Sequence, residues 1–309
     1  MLTADRRAAS GFRLLNRIPL SLQKSWVRLG LCCLSVFLLA AIPCPGAAQP
    51  AGSAPDVLKI VRDASWNEMH SSGPPHDFRY RISEQNPRGS DVKLVIETKD
   101  GGVARLIEKN GQPLTAAENA AEVARLKKLL ANPEIQQQRQ NKARENDNRE
   151  NELVRMLPDA FLYTDEGTVQ GPSGPCFRLS FKPNPNFVPP DREGEVFHGM
   201  VGELWIDRSQ LRIARIDAHL VADVNFGWGV LGKLYRGGSI LEENADVGEN
   251  HWESTQLRLH LTGKILMFKS VDYSTDQTST DFRPVPSDTT YQEAIQMLLN
   301  EPVPSGGGE

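Results

Sequence analysis

Histidines are the first candidates for chemistry in this sequence, because imidazole binds metals and transfers protons near neutral pH. Zinc sites use spacings such as His-x3-His or His-Glu-x-x-His, or pairs of cysteines. None of these spacings occurs among the six histidines, which are His70, His76, His198, His219, His251 and His260. Two of them, His219 and His260, alternate with apolar residues in strand-like segments and are expected to face solvent. The sequence therefore predicts no metal and no cofactor.

Nucleophiles and paired carboxylates are equally sparse. The stretch 237–241 (GGSIL) lacks the final glycine of the Gly-x-Ser-x-Gly elbow that exposes a catalytic serine. Glu242 and Glu243 are neighbours in a strand-like segment, so their carboxylates point to opposite faces and cannot share a proton. We therefore predict no catalytic residue and no enzymatic activity. A hydrolase whose site is assembled from separate strands remains an alternative.

Apolar residues form the pattern that is left as a candidate site. The segment 225–235 (NFGWGVLGKLY) is rich in large apolar side chains separated by glycines. It is either a buried crossing segment or the lip of an apolar cavity, where glycines give the backbone freedom. A second segment, 266–268, is apolar on both strand faces, as expected when both are covered. The candidate ligand-binding residues are Phe226, Trp228, Val230, Leu231, Leu234, Leu266 and Phe268.

The first 48 residues have the composition of a secretory signal peptide. A leader with six basic residues precedes an uncharged apolar run of 14 residues at 29–42, and Gly46, Ala47 and Ala48 follow. This order is typical of export signals, and the run is short for a transmembrane helix. We predict cleavage after Ala48 and a periplasmic or extracellular location. Retention of the segment as a membrane anchor is the alternative.

The charge and cysteine content of the remainder exclude further classes. Residues 49–309 carry 29 basic and 38 acidic side chains, a net charge of −9. That balance repels polyanions, so nucleic acid is excluded as a general partner. One cysteine, Cys176, follows residue 48, so no intramolecular disulfide is possible there. Its apolar neighbours predict a buried structural thiol.

Periodicity predicts the elements that position these residues. After a linker at 49–55, a helix capped by Asp56 leads into a three-stranded meander up to residue 108. A helical insertion at about 115–157 is broken by Asn132 and Pro133. It includes a nearly all-polar stretch, which is either a solvated helix or a docking arm. Roughly nine to eleven antiparallel strands in two groups are expected, with a bulge where the apolar phase shifts between Ile213 and Ala214. One domain at 56–301 and a disordered tail at 302–309 complete the prediction.

This pattern resembles a known family. The segment 202–207 (GELWID), the return strand 211–218 (LRIARIDA), and the stretches 268–273 and 280–285 are similar to the LolA-type superfamily of periplasmic lipoprotein carriers. The likeness covers about residues 56–285, although the helical insertion is longer and more charged than a carrier needs. It implies an α+β fold in which a strongly curved antiparallel sheet, a half-open β-barrel, is covered by helices and has room for acyl chains.

Three functions follow from these observations. The first is a secreted or periplasmic, non-catalytic protein that binds a lipid or acylated ligand, such as lipoprotein acyl chains, in a concave apolar cavity. The second is an envelope protein-interaction or sensing module that uses the same fold. The third is the hydrolase with a dispersed site. The sequence names neither the ligand nor the oligomeric state.

Overall fold

The computed structural model describes residues 56–70, 76–98, 101–226, 232–265 and 269–302. The predicted signal peptide, the linker and most of the predicted tail lie outside these ranges. Among the helices that the structure describes, none combines the length and the apolar character that a membrane crossing requires.

The fold is α+β, and the described residues form four α-helices, one 3₁₀ helix and a single sheet. The helices are α1 (Val57–His70), α2 (Ala116–Ala131), α3 (Pro133–Ala160), α4 (Tyr291–Asn300) and the 3₁₀ helix Glu193–Gly199. The strands are β1 (His76–Asn86), β2 (Gly89–Ile96), β3 (Val103–Lys109), β4 (Gln112–Pro113), β5 (Phe161–Gln170), β6 (Pro175–Pro183), β7 (Met200–Asp207), β8 (Ile213–Leu220), β9 (Val224–Phe226), β10 (Gly232–Leu234), β11 (Ser239–Asp246), β12 (Trp252–Ile265) and β13 (Lys269–Pro286).

All 13 described strands belong to one antiparallel sheet. Its order is β4-β3-β2-β1-β13-β12-β11-β8-β7-β6-β5, and β9 and β10 extend it beside β12. The two predicted groups of strands are thus joined by the pairing of β1 with β13. The prediction undercounted the strands because β4, β9 and β10 have only two or three residues each. Strands β4 and β5 stand at opposite ends, so the sheet does not close into a barrel.

The bulge predicted from the phase shift in β8 is confirmed. Trp205 of β7 pairs with Arg215, but the next residue, Ile206, pairs with Ile213. Ala214 is therefore the extra residue, and it is buried with Cys176 and Trp252 in a small cluster. A bulge bends and twists its strand, and here it lets Ile213 and Ile216 face the same core.

Two helical layers cover two parts of the sheet. Helices α1 and α3 pack on β5–β8, with Val61, Ala64 and Val154 buried in the main core. Helices α2 and α4 pack on the meander, where Leu126 and Ile295 are buried in a second core. Threonine capping boxes begin both α2 and α4. The capping prediction for α1 is also confirmed, because Asp56 Oδ1 accepts a hydrogen bond of 3.1 Å from the Lys59 amide.

The helical insertion differs in detail from the prediction. Its two helices meet at Asn132, as the expected break at Asn132 and Pro133 predicts, but α3 runs through Pro158 to Ala160, past the expected end. Tertiary packing outweighs the proline here, because Leu157, Pro158 and Ala160 are buried. The polar stretch is not wholly solvated either, since Gln136, Asn146 and Glu150 are buried.

Candidate functional site

A cavity of about 260 Å³ lies between the sheet and the pair formed by α3 and the 3₁₀ helix. Its lining extends across the sheet from Tyr163 on β5 to Tyr273 on β13. In the sheet order these two strands are the first and the last of seven neighbouring strands. A flat sheet would place its first and seventh strands about 29 Å apart. Residues from both can line one cavity only because the sheet curves strongly, as the sequence predicts.

The sheet side of the cavity is built from alternate positions of long strands. Side chains on one face of a strand recur every second residue. On β8 these are Ile216, Ala218 and Leu220, and on β12 they are Leu259, Leu261 and Ile265. Most of them are buried. This alternation makes the concave face of the sheet an apolar wall.

The helix side adds aliphatic and aromatic groups. Leu153 and Leu157 stand one turn apart on α3, and Val196 and Phe197 project from the 3₁₀ helix. The ring centroid of Phe161 lies 4.5 Å from that of Phe181 and 5.1 Å from that of Phe197. These aromatic groups close the end of the cavity next to the edge strand β5. They were not among the predicted site residues, although the Leu153/Leu157 and Phe161/Tyr163 spacings were visible in the sequence.

Two of the seven predicted ligand-binding residues lie in the described part of the chain, and both line the cavity. Phe226 ends β9 and is buried, and Leu234 ends β10 and is half-buried. They pack together in one small apolar cluster with Leu220 and Val224. The other five, Trp228, Val230, Leu231, Leu266 and Phe268, fall outside the described residues and stay predictions.

A glycine permits the close strand pairing at this end of the cavity. Gly263 of β12 pairs with Leu234 of β10. A Cβ atom at Gly263 would lie 2.3 Å from the backbone oxygen of Lys233, so any larger residue would push β10 away.

Charged groups occur at the cavity margin. Arg149 of α3 and Glu193 of the 3₁₀ helix line it, with Nε of Arg149 3.7 Å from Oε1 of Glu193. Lys233 and Lys264 also border the cavity, but they pair with each other in register at positions between the cavity-facing residues of their strands. Alternation therefore directs both lysine side chains to the convex face. Consistent with this, Nζ of Lys233 lies 2.8 Å from Oδ2 of Asp223.

Tyr163 supplies a hydroxyl beside the cavity, but that hydroxyl is already engaged. It donates a hydrogen bond of 2.8 Å to the backbone oxygen of Leu157. Burial, with a smaller contribution from the Asp159 carboxylate, raises the pKa of this phenol far above its usual value. The group therefore stays neutral and does not provide a base.

Histidines expected at the surface are found there. His219 and His260 are both exposed, as the alternation predicts. His219 lies on β8 between cavity-facing residues, and His260 takes the corresponding place on β12. His219 also borders the cavity, whereas His260 is not part of its lining.

A separate buried cluster holds Glu97, His251 and Glu253. Nε2 of His251 lies 2.9 Å from Oε1 of Glu253 and 3.9 Å from Oε2 of Glu97, and the three possible ligand atoms lie within 4.8 Å of one another. One imidazole and two carboxylates match the ligand set of a divalent transition metal. The backbone amide of Phe78 also donates to Glu97 Oε2 at 3.3 Å. Sequence spacing missed this cluster because Glu97 is distant from the other two along the chain.

The similarities of this chain to known proteins come from solved structures and not from sequences. No protein-family model and no curated protein sequence matches the chain. A LolA superfamily protein from Nitrosomonas europaea is similar in structure, with 11% identity, a TM-score of 0.24, and coverage of 75% of this chain and 96% of the other. A putative outer membrane lipoprotein-sorting protein domain from Vibrio parahaemolyticus has 10% identity, a TM-score of 0.26, and coverage of 74% and 91%. At these TM-scores, function has to be inferred from the cavity itself.

Proposed function

We propose that this protein is an exported, non-catalytic binding protein that holds the apolar chain of a lipid or acylated ligand in the cavity. The observation that carries the proposal is the lining, in which aliphatic and aromatic side chains of the curved sheet meet those of α3 and the 3₁₀ helix. Ligand pockets are typically apolar with a few polar groups that fix orientation. The Arg149–Glu193 pair at the margin is such a polar element.

The size of the cavity favours a single chain. Its volume of about 260 Å³ lies just below the range of about 300–1,000 Å³ that is usual for ligand sites. A dry apolar cavity of about 150 Å³ already accepts benzene. One acyl chain is therefore a better match than a lipid with several chains.

Burial of methylene groups supplies the driving force. Each buried CH₂ contributes about 0.8 kcal/mol, so ten contribute about 8 kcal/mol. Association then costs several kcal/mol of lost freedom, which leaves moderate affinity without any buried ion pair. An acyl chain with ten buried methylene groups can therefore bind to an apolar lining without a metal or a catalytic group.

The location is part of the same proposal. The leader at residues 1–48 has the pattern of an export signal. An acyl ligand outside the cytoplasm has to be shielded from water between membranes, and a cavity of this kind provides the shield.

A matched pair of substitutions tests the proposal. Leu261 is half-buried and faces the cavity, so Leu261→Trp should obstruct it. Leu162 on β5 is 45% exposed and does not line the cavity, so Leu162→Trp is the control. Binding of the methyl ester of cis-parinaric acid, whose chain fluoresces when shielded from water, gives the readout. We expect saturable binding of the ester to the natural protein and to Leu162→Trp, and at least tenfold weaker binding to Leu261→Trp.

Native mass spectrometry of the chain exported from an expression host gives an independent measurement. Co-purifying lipid mass on the natural chain and its loss from Leu261→Trp would support the proposal. A chain that binds neither co-purifying lipid nor the parinaric ester would overturn it.

A further inference from the structure

We propose that Arg149 binds the anionic head group of the acyl ligand, with Glu193 as the partner that this head group displaces. The inference rests on the proposed function, because it assigns a binding residue to the polar end of the acyl chain that the cavity holds. The head group is a carboxylate or a phosphate monoester, and both accept paired hydrogen bonds from a guanidinium.

The helical spacing directs the Arg149 side chain to the cavity. Arg149, Leu153 and Leu157 follow one another at intervals of four residues on α3, and all three line the cavity. Residues four apart lie on one helix face. Arg149 is therefore the polar end of the same stripe that contributes the two leucines to the apolar interior.

Glu193 approaches from the opposite side in the same way. Glu193 and Val196 are three residues apart on the 3₁₀ helix, where such positions are nearly eclipsed, and both line the cavity. The two charged side chains thus meet across the margin, each above an apolar neighbour. A ligand that enters the cavity between α3 and the 3₁₀ helix has to pass this pair.

The contact between the two groups is loose. Nε of Arg149 and Oε1 of Glu193 are 3.7 Å apart, which is beyond hydrogen-bond distance, and their side chains are 33% and 38% exposed. Among the described residues, Glu193 is the one acidic group within ion-pair distance of Arg149. The guanidinium therefore has donors available for another acceptor.

The environment of Glu193 agrees with a weak partner. Loss of hydration raises the pKa of its carboxyl above the usual value, and Arg149 offsets this only in part. A partly dehydrated carboxylate that receives no hydrogen bond from its cationic partner is readily displaced by an anion that does receive one. The other cations at the margin do not compete, because Lys233 and Lys264 project to the convex face.

Binding of cis-parinarate and of its methyl ester separates the head-group contact from the chain contact. Arg149→Gln should weaken the binding of parinarate about fivefold, as expected for a part-exposed ion pair, and should leave the affinity for the ester unchanged. Glu193→Gln should raise the affinity for parinarate about twofold, because it removes the competing anion. The matched control is Arg155→Gln on the same helix, since Arg155 is exposed and bonds to Glu152 at 3.1 Å. That control should change neither probe.

Displacement of bound parinarate identifies the kind of anion. Palmitate and hexadecyl phosphate should both compete better than hexadecanol, and the stronger of the two gives the head-group class, while inorganic phosphate alone should not compete. Equal affinity of the natural chain for parinarate and its ester, or equal losses of both in Arg149→Gln, would overturn the head-group proposal and leave the cavity proposal intact. Failure of both probes to bind the natural chain would overturn both proposals.

Discussion

Glu68 of α1 and Arg212, the residue before β8, form a buried two-pronged ion pair. Arg212 Nε donates to Glu68 Oε1 at 3.0 Å, and its Nη2 donates to Oε2 at 2.7 Å. The amide of Ile213 adds a third bond to Oε1 at 2.7 Å. Both side chains are at most 5% exposed. The pair therefore fixes α1 to the sheet directly beside the bulge at Ala214.

Removal of the carboxylate should destabilise the protein strongly. Glu68→Ala leaves the Arg212 guanidinium buried without its partner, which costs about 3–5 kcal/mol. Urea unfolding followed by tryptophan fluorescence measures the free energy of unfolding. Asp63→Ala on the same helix is the control, because its pair with Lys59 is exposed and contributes about 1 kcal/mol or less. If Glu68→Ala lowered the free energy of unfolding as little as Asp63→Ala does, the pair of Glu68 and Arg212 would not be buried as the structure shows.

Close approach of β7 and β8 predicts that Gly202 cannot be replaced. A Cβ atom there would lie 2.1 Å from the backbone oxygen of Asp217 and 2.7 Å from the Cα of Ala218. Gly202→Ala should lower the free energy of unfolding by about 3 kcal/mol, the upper end for overpacking, because backbone has to move.

The control for that substitution is Gly102→Ala. The nearest atom to a Cβ at Gly102 is 3.7 Å away, an ordinary contact. A change within about 0.5 kcal/mol is expected there. Equal effects at the two glycines, measured by the same urea titration, would show that β7 and β8 are not as close as the structure has them.

The sequence was informative about the fold where a periodic pattern met an interruption. The phase shift at Ile213 and Ala214 predicted the bulge, and Asn132 with Pro133 predicted the break between α2 and α3, because both interruptions are local. The pairing of β1 with β13 was not predicted. It joins segments from opposite ends of the domain, and strand alternation carries no information about such distant partners.

The site was predicted only in part, for a related reason. Phe226 and Leu234 stood out because they belong to one continuous apolar segment. Arg149 was read as one charge in a polar stretch, and its importance depends on Glu193, which lies on another helix. His251 was tested as a metal ligand only against spacings along the chain. Glu97, which follows β2, reaches His251 and Glu253 at the start of β12 only when the two strands fold into one sheet.

The thiol of Cys176 should be inert in the native protein. Burial raises its pKa to about 11, with a smaller contribution from the Asp207 carboxylate. At pH 8 the thiol is therefore protonated and shielded, and a disulfide reagent should modify residues 49–309 only after unfolding. Because the folded pKa is raised, this group supports stability below the unfolded pKa of about 8.5, and that contribution should be lost as the pH rises from about 9 to 11. Rapid modification of the folded chain at pH 8 would show that the thiol is not buried.

Ligand binding should stabilise the native chain by mass action. A single-chain amphiphile such as palmitate at one hundred times its Kd adds about 2.7 kcal/mol to the free energy of unfolding. For a domain of this size that corresponds to an increase in Tm of about 5–10 °C, which calorimetry detects. At the same palmitate concentration Leu261→Trp should show a smaller increase, because the indole obstructs the cavity, whereas Leu162→Trp should respond like the natural protein. An equal increase in Leu261→Trp would place the palmitate site outside the cavity, since the indole occupies part of the volume in which the acyl chain would lie.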